Sequence, residues 1–155
     1  MNYNNMKTNT VKLHRVLQTS PKKVFRAFAD PLAMASWNPP YGFLCQVHEM
    51  DFREGGQFKM SFVNFTTGTA QSFGGTFLEI RTDEFIRYSD KFDDPNLPGE
   101  MTTTISIHAV SAGTDLTIEQ SGIPEVIPPE MCYIGWQECL DKLKRLVEPE
   151  IPDAP

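Results

Sequence analysis

The sequence predicts one α+β domain in which an antiparallel sheet of six or seven strands is covered by a long C-terminal helix. Residues 44 to 121 form short segments that alternate apolar and polar side chains, separated by turn signals and without a helical window. After Pro129, apolar residues recur at the i, i+4, i+7 spacing of a helical stripe. One face of the sheet is apolar and needs a cover, which this last helix can supply.

The N-terminal part predicts one strand followed by two short helices. Residues 11 to 18, "VKLHRVLQ", alternate as a strand does. Ser20-Pro21 and Asp30-Pro31 each combine an N-cap residue with proline at the first helical position. Because the two start signals lie so close together, both helices must be short, and Asn38-Pro39-Pro40 ends the second.

Six further strands follow, joined mostly by tight turns. Gly55-Gly56 and Ala112-Gly113 supply the positive φ values that tight hairpins need, and Thr82-Asp83 is a short turn. The proline-bearing segment 93 to 100 predicts an exposed loop, and Gly74-Gly75 predicts a bulge or turn. The predicted strands span residues 44–52, 57–65, 71–81, 84–92, 101–110 and 114–121.

Size and charge limit the classes of function. A chain of 155 residues with 40% hydrophobic content suits one domain, which we place at 11–148 between a flexible lead, 1–10, and a flexible tail, 149–155. The net charge of −6, without clustered Lys and Arg, argues against nucleic acid or an anionic membrane as a partner. With a polar start and no run of roughly 18 apolar residues, we expect a cytoplasmic protein.

The cysteines predict reduced, buried thiols. Cys132 and Cys139 are two helical turns apart, about 10 Å along the axis, too far to share one metal ion or a disulfide. With Cys45 distant in sequence, we expect no metal site and no cofactor. Gly135 lies between the two helical cysteines and predicts a close contact of the helix with a neighbour.

Three residues are candidates for acid or base chemistry: Asp90, Glu79 and His48. Asp90 shares the strand parity of Tyr88 and Phe92, so it faces a cavity with a raised pKa, or it is a strand-end carboxylate in water. Glu79 has a cross-strand ion pair as its simplest explanation, and the scattered histidines do not indicate a nucleophilic triad.

Aromatic and methionine side chains are the strongest indication of function. They come from every element expected around the space under the last helix, and they suit a flat or lipophilic ligand. The alternative is a filled core that binds nothing. The predicted ligand-binding residues are Trp37, Phe43, Phe58, Met60, Phe62, Tyr88, Phe92, Met131 and Trp136.

Several motifs together cover nearly the whole chain: "SPKKVFRAFADPLAMASW", "VHEMDFREGGQFKMSF", "GGTFLEI", and "SGIPE" followed by "GWQECLDKL". In these motifs and their order the chain resembles the START/Bet v 1-like (SRPBCC) superfamily, and within it the family homologous to the C-terminal domain of the activator of heat-shock-protein-90 ATPase. The resemblance implies a helix-grip fold, in which a curved sheet surrounds the C-terminal helix and leaves a cavity. In many relatives a second aromatic follows the tryptophan, whereas Asn38-Pro39-Pro40 stands here and reshapes one entrance.

Three functions remain open from the sequence. The first is binding of a small hydrophobic or aromatic molecule in the cavity, without catalysis. The alternatives are a polyketide cyclase-like or hydrolase-like enzyme that uses a pocket carboxylate or histidine, and a stress-response module that interacts with a chaperone. A homodimer is possible.

Overall fold

The computed structural model describes residues 7–155, which form seven strands and three helices. Of the predicted lead, residues 1–6 lie outside the described residues, and residues 8 to 10 already belong to the first strand. The elements are β1 (Thr8–Leu17), α1 (Pro21–Ala29), α2 (Pro31–Trp37), β2 (Phe43–Met50), β3 (Gln57–Asn64), β4 (Ala70–Arg81), β5 (Phe85–Phe92), β6 (Met101–Val110), β7 (Gly113–Pro124) and α3 (Pro129–Val147).

The two short helices begin where their caps predict. The Ser20 hydroxyl accepts a hydrogen bond from the Lys23 backbone N–H at 3.3 Å and caps α1. The Asp30 carboxylate accepts from the backbone N–H groups of Leu32 at 2.9 Å and Ala33 at 3.4 Å, and caps α2. Each cap satisfies backbone donors that lack a partner inside the helix.

The seven strands form one antiparallel sheet in the order β1-β7-β6-β5-β4-β3-β2. Strands β2 to β7 pair with their sequence neighbours, as a meander does. Strand β1 instead pairs with β7, which brings the two ends of the domain together. The predicted α+β architecture, with two helices after the first strand and one long helix at the end, is confirmed.

Strand β4 has its irregularity at a different place from the predicted one. Gly74 and Gly75 pair regularly with β3, so the predicted bulge or turn there is wrong. A Cβ at Gly75 would lie 1.8 Å from the Ser89 carbonyl oxygen, so glycine permits a close approach of β4 and β5. The register shifts instead between Phe77 and Glu79, where Leu78 is the extra residue.

Helix α3 covers the curved sheet and joins two clusters of buried side chains. In the larger cluster, Leu140 and Leu143 of α3 are buried together with residues of α1, α2 and most strands. A smaller cluster contains Val11, Met101 and Ile123, and Trp136 packs against both clusters. Trp136 therefore lies where the two packed regions meet.

The segment after α3 contacts the first helix. The Lys23 ammonium donates a hydrogen bond to the Pro149 carbonyl at 2.8 Å and forms an ion pair with Glu150 at 3.2 Å. Across residues 7–155, none of the helices combines the length and the apolar character needed to cross a membrane.

Candidate functional site

A cavity of about 210 Å³ lies between the curved sheet and helix α3. Strands β3 to β7 supply most of its wall, α3 supplies the opposite side, and α2 with the segment after it closes one end. The sheet-side wall includes aromatic and aliphatic residues that alternate along their strands, whereas Gln71, Asp90 and Gln120 are its polar members. The elements thus enclose a mainly apolar space with few polar groups, which is the composition of small-molecule sites.

The aromatic side chains of the wall hold one another in place. Phe58 lies 5.4 Å from Tyr88 and 5.3 Å from Phe77 between ring centroids, and Phe62 lies 4.8 Å from Phe73. The Phe58–Tyr88 and Phe62–Phe73 pairs are edge-to-face, which is a favourable arrangement for aromatic quadrupoles. The wall is therefore fixed by its own packing before any ligand enters.

Most of the predicted ligand-binding residues lie on this wall, and their contact with a ligand stays a prediction. The strand alternation and the helical stripe correctly indicated which faces turn inward. The predicted residues that line the cavity are Phe58, Met60, Phe62, Tyr88, Phe92 and Trp136.

Three predicted residues lie elsewhere. Trp37 is 1% exposed, packs on Phe28, and its indole N–H donates to the Ala27 carbonyl at 2.9 Å, so it belongs to the packing between α1 and α2. Phe43 is 37% exposed because it lies on the edge strand β2. Met131 is 60% exposed, because the inward face of α3 is formed by Cys132, Gly135, Trp136 and Cys139, one position further along the helix.

Several residues of the cavity wall were not predicted, although alternation along their strands indicates most of them. Phe73 and Phe77 alternate along β4, and Met101 and Ile123 occupy inward positions of β6 and β7. Strand parity alone could have found Phe73, Phe77 and Met101. It could not have found Ile123, because a register shift in β7 reverses the parity between Gln120 and Ile123. Alternation in β7 also places Gln120 on the inward face with Leu116 and Ile118, but a polar residue type gives no reason to expect it on an apolar wall.

Asp90 is the acidic group of the cavity. Its side chain is buried on the wall, and Oδ1 has no hydrogen-bond partner among the described residues. Burial raises the pKa of Asp90 to about 7, against a smaller lowering by the backbone N–H of Lys91. The interpretation of Asp90 as a strand-end carboxylate in water is therefore wrong, and near neutral pH the group is partly protonated.

The other two acid/base candidates lie outside the cavity. The register shift at Leu78 turns Glu79 away from Phe77, and Glu79 pairs with Arg81 at 3.4 Å and Arg87 at 3.5 Å. The His48 Nε2 lies 2.8 Å from the Ser61 hydroxyl oxygen. Because the residues on either side of Ser61 line the cavity, this contact is on the opposite face of the sheet. Neither residue can act together with Asp90 on a molecule in the cavity.

A chain of hydrogen bonds joins helix α3 to the sheet across the cavity. The Trp136 indole N–H donates to Gln120 Oε1 at 3.1 Å, and Gln120 Nε2 donates to Thr103 Oγ1 at 3.3 Å. Burial, and then the charge of Asp90, raise the pKa of Tyr88, while a hydrogen bond with the Thr103 side chain opposes the rise. The Tyr88 phenol consequently stays protonated, and the orientation of Trp136 is fixed.

The thiols are not activated. The Cys139 thiol donates to the Asn38 carbonyl at 2.8 Å, and burial raises its pKa to about 12. Burial likewise raises the pKa of Cys45 to about 11 and, with a smaller effect, that of Cys132. Protonated thiols are poor nucleophiles and poor metal ligands. Residues 7–155 contain no group of three His, Cys, Asp or Glu residues placed to hold a metal ion.

Gly135 makes room where a close contact was predicted. A Cβ built on Gly135 meets no atom within 4 Å, and the residue lines the cavity. The prediction that α3 approaches a neighbour here is therefore wrong. The helical stripe identified the inward face, but the sheet curves away from it at this point, so the missing side chain adds to the cavity.

The segment after α2 shapes one end of the cavity. Asn38 and Pro40 line it, and the Pro39 carbonyl accepts a hydrogen bond from the Lys142 ammonium at 2.9 Å. The Tyr41 backbone N–H donates to the Glu138 carboxylate at 3.1 Å. These bonds tie the segment that contains Asn38-Pro39-Pro40 to α3 at this end of the cavity.

Leaving a cavity of this size empty lowers the free energy of unfolding of the protein. The cavity opens to the surface, so ~24 cal/mol per Å³ over 210 Å³, about 5 kcal/mol, is the upper bound for leaving it without water or ligand. That is comparable with the lower end of the whole stability of a domain, roughly 5 to 15 kcal/mol. An engineered apolar cavity of about 150 Å³ binds benzene, so this cavity suits one aromatic ring with a short side chain.

A curved antiparallel sheet that surrounds a C-terminal helix and leaves a cavity defines a helix-grip protein of the Bet v 1-like class, in general a ligand-binding scaffold. The sequence profile of the family described as "Activator of Hsp90 ATPase homolog 1-like protein" matches residues 18–148. The chain belongs to this family.

Solved structures of other proteins have the same fold. Protein CV1439 from Chromobacterium violaceum is 55% identical, with a TM-score of 0.90 over 92% of this chain and 99% of that chain. Two more distant proteins share the fold. The AHSA1 protein SPO3351 from Silicibacter pomeroyi is 18% identical, with a TM-score of 0.78 over 88% of this chain and 96% of that chain. The AHSA1-like protein from Aeromonas hydrophila is 21% identical, with a TM-score of 0.74 over 90% of this chain and 92% of that chain. No curated protein matched the chain significantly.

Proposed function

We propose that this protein binds a small hydrophobic or aromatic molecule, about one ring with a short side chain, in the cavity under α3. The observation that carries the proposal is the cavity itself, an apolar space of about 210 Å³ whose aromatic wall is already packed in place. Because the wall does not have to reorganise, little of the binding free energy is lost in ordering side chains.

The energy of the unfilled space supports the same conclusion. A ligand that fills it recovers dispersion contacts and apolar burial that the empty protein lacks. Gly135 widens the cavity at the cost of a poor helix former in the interior of α3, where alanine would be more favourable by roughly 1 kcal/mol. A helix selected for stability alone would fill this position.

Binding without catalysis fits the site better than the enzyme hypothesis. Asp90 is poised for proton transfer, but the other candidates, Glu79 and His48, lie on the outer side of the sheet. The other titratable hydroxyl near Asp90 is the Tyr88 phenol, and its raised pKa keeps it protonated. The family name also refers to activation of a chaperone ATPase, which is a property of the protein that gave the family its name and has no bearing on the cavity.

Ethylbenzene and propylbenzene test the proposal, with thermal denaturation and intrinsic tryptophan fluorescence as the measurements. At ten times its Kd a ligand stabilises by about 1.4 kcal/mol, which raises the Tm of a domain of this size by roughly 3 to 6 °C. Gly135→Leu places a side chain in the cavity and should abolish the shift. Ile134→Leu, one residue away on the exposed face, is the matched control and should preserve it. An equal shift in Gly135→Leu and wild type would place the binding elsewhere, and no shift for either hydrocarbon in wild type would refute the proposal.

A further inference from the structure

We propose that the ligand is an organic amine, and that its ammonium group pairs with Asp90 inside the aromatic wall. The inference rests on the proposed function and narrows the ligand class of the same cavity. It follows from the position of an unpaired carboxyl group, from the side chains around it, and from the absence of a cation among them.

Asp90 lacks the charged partner that a buried carboxylate requires. It lines the cavity, Oδ1 has no hydrogen-bond partner, and the side chain forms no ion pair within residues 7–155. The described cavity wall contains no Lys, Arg or His. A buried carboxylate is strongly unfavourable unless it is paired, so the missing cation must be a proton or part of the ligand.

The surroundings of Asp90 favour an organic cation. Tyr88 and Phe92 lie two residues to either side of it on the same face of β5, and Phe73 pairs with Phe92 from β4. Alternate residues of a strand are about 7 Å apart, so an ammonium at Asp90 is within reach of both neighbouring rings. The faces of aromatic rings attract cations, most strongly where water is excluded. A fatty acid or another anion would meet the carboxylate and be repelled.

Among the described residues that line the cavity, no group other than Asp90 changes its charge near neutral pH. The side chains that line the cavity from neighbouring elements are Gln71, Phe73 and Phe77 of β4, Met101 of β6, Gln120 and Ile123 of β7, and Cys132, Trp136 and Cys139 of α3. Of these only the thiols titrate, and burial raises the pKa of both, as it raises that of Tyr88. Asp90 therefore carries the whole pH response of the site.

Proton balance gives the proposal a distinctive signature. An ammonium that binds to protonated Asp90 displaces its proton, which passes to the buffer, and the complex contains a carboxylate and an ammonium. Affinity should therefore rise about tenfold per pH unit below the pKa of Asp90 and level off above it. A neutral ligand that fills the same space by apolar contacts alone releases no proton.

Matched probes separate this inference from the proposed function. Isothermal titration calorimetry at pH 5, 6, 7 and 8, in two buffers of different ionisation enthalpy, compares benzylamine with ethylbenzene and 2-phenylethylamine with propylbenzene. We expect the amines to bind at least about tenfold tighter than the hydrocarbons at pH 8, with proton release at pH 6 and 7. Asp90→Asn should reduce the ratio of amine to hydrocarbon affinity to one or less, because the ammonium would then be buried without a counterion. Glu125→Gln, which removes an exposed carboxylate, should preserve the ratio.

Different results would contradict the amine inference and the proposed function. If the hydrocarbons bind but the amines bind no tighter at pH 8, or if wild type binds amines without proton release, the amine inference is wrong and the proposed function stands. A ratio that survives in Asp90→Asn also overturns the inference. If neither the amines nor the hydrocarbons bind, both proposals fail. The pH dependence and proton release are measured on the wild-type protein, so the result does not depend on the folding of a variant.

Discussion

Replacing Asp90 by asparagine should stabilise the protein at alkaline pH and leave its stability at acidic pH nearly unchanged. Burial raises the pKa of Asp90 to about 7 in the folded protein, whereas an aspartate in an unfolded chain has a pKa near ~3.9. Between these two values the folded state binds the proton and the unfolded state has lost it. The free energy of unfolding therefore falls as pH rises from about 4 to about 7 and is constant above that range.

The size of the effect follows from the same two pKa values. They differ by about three pH units, and each unit corresponds to ~1.36 kcal/mol, so ionisation of Asp90 costs the folded protein about 4 kcal/mol at pH 8. Asparagine has nearly the same shape and no charge to bury. For a domain of this length, 1 kcal/mol corresponds to roughly 2 to 4 °C in Tm, so the Tm of Asp90→Asn should gain about 8 to 16 °C on wild type between pH 4 and pH 8.

Urea denaturation of both proteins at intervals of half a pH unit from 4 to 8.5 measures the effect directly. The difference between variant and wild type cancels the titration of every other group. Glu125→Gln is the control, because it removes an exposed carboxylate that does not line the cavity and should give a difference close to zero at every pH. If the difference for Asp90→Asn is also independent of pH, water or a counterion reaches Asp90 and the buried carboxyl described above does not exist.

Further substitutions test the packing and the thiols. Gly75→Ala should cost about 3 kcal/mol or more in urea denaturation, because its Cβ would lie 1.8 Å from the Ser89 carbonyl oxygen, and a loss under 1 kcal/mol would contradict that contact. Gly135→Ala should instead stabilise by about 1 kcal/mol, since its Cβ meets no atom within 4 Å, and a loss of stability would show that α3 is in contact there. Native Cys139, whose pKa is raised to about 12, should react with a disulfide reagent at pH 8 far more slowly than the urea-unfolded chain, and equal rates would refute its burial. Glu79→Gln should cost less than about 1 kcal/mol and leave hydrocarbon binding unchanged, because its ion pairs are partly exposed and on the outer side of the sheet; a loss of binding would return Glu79 to the site.

Local chemistry made the elements predictable. Ser20 and Asp30 cap helices because their side chains satisfy free backbone N–H groups of the next turn. The inward residues of β3 and β5 follow from alternation, and the stripe of Cys132, Trp136 and Cys139 follows from 3.6 residues per turn. These rules act over a few residues, so they need no knowledge of the fold.

The predictions failed where the position of a side chain depends on a bulge or on a contact with another element, because the rules used consider only neighbouring residues. Strict alternation would put Glu79, one of the acid/base candidates, on the face of Phe77, but one extra residue at Leu78 reverses every side chain that follows it in β4. Trp37 was expected at the cavity because it is aromatic and ends α2, yet its indole N–H is bound by the Ala27 carbonyl of the neighbouring helix. Neither a bulge nor a helix-to-helix hydrogen bond leaves a reliable pattern in the sequence.

The sequence by itself determined the ten elements, their order, and which face of most strands and of α3 is apolar, because backbone geometry links these properties to residue spacing. Only the tertiary structure shows that the apolar faces of the sheet and of α3 are not in contact along their whole length. Curvature of the sheet leaves space opposite Gly135, and the cover of β4, β6, β7 and α3 removes Asp90 from water. Burial and desolvation depend on atoms brought together from distant parts of the chain, and for that reason the cavity and its unpaired carboxyl group appear only in the folded molecule.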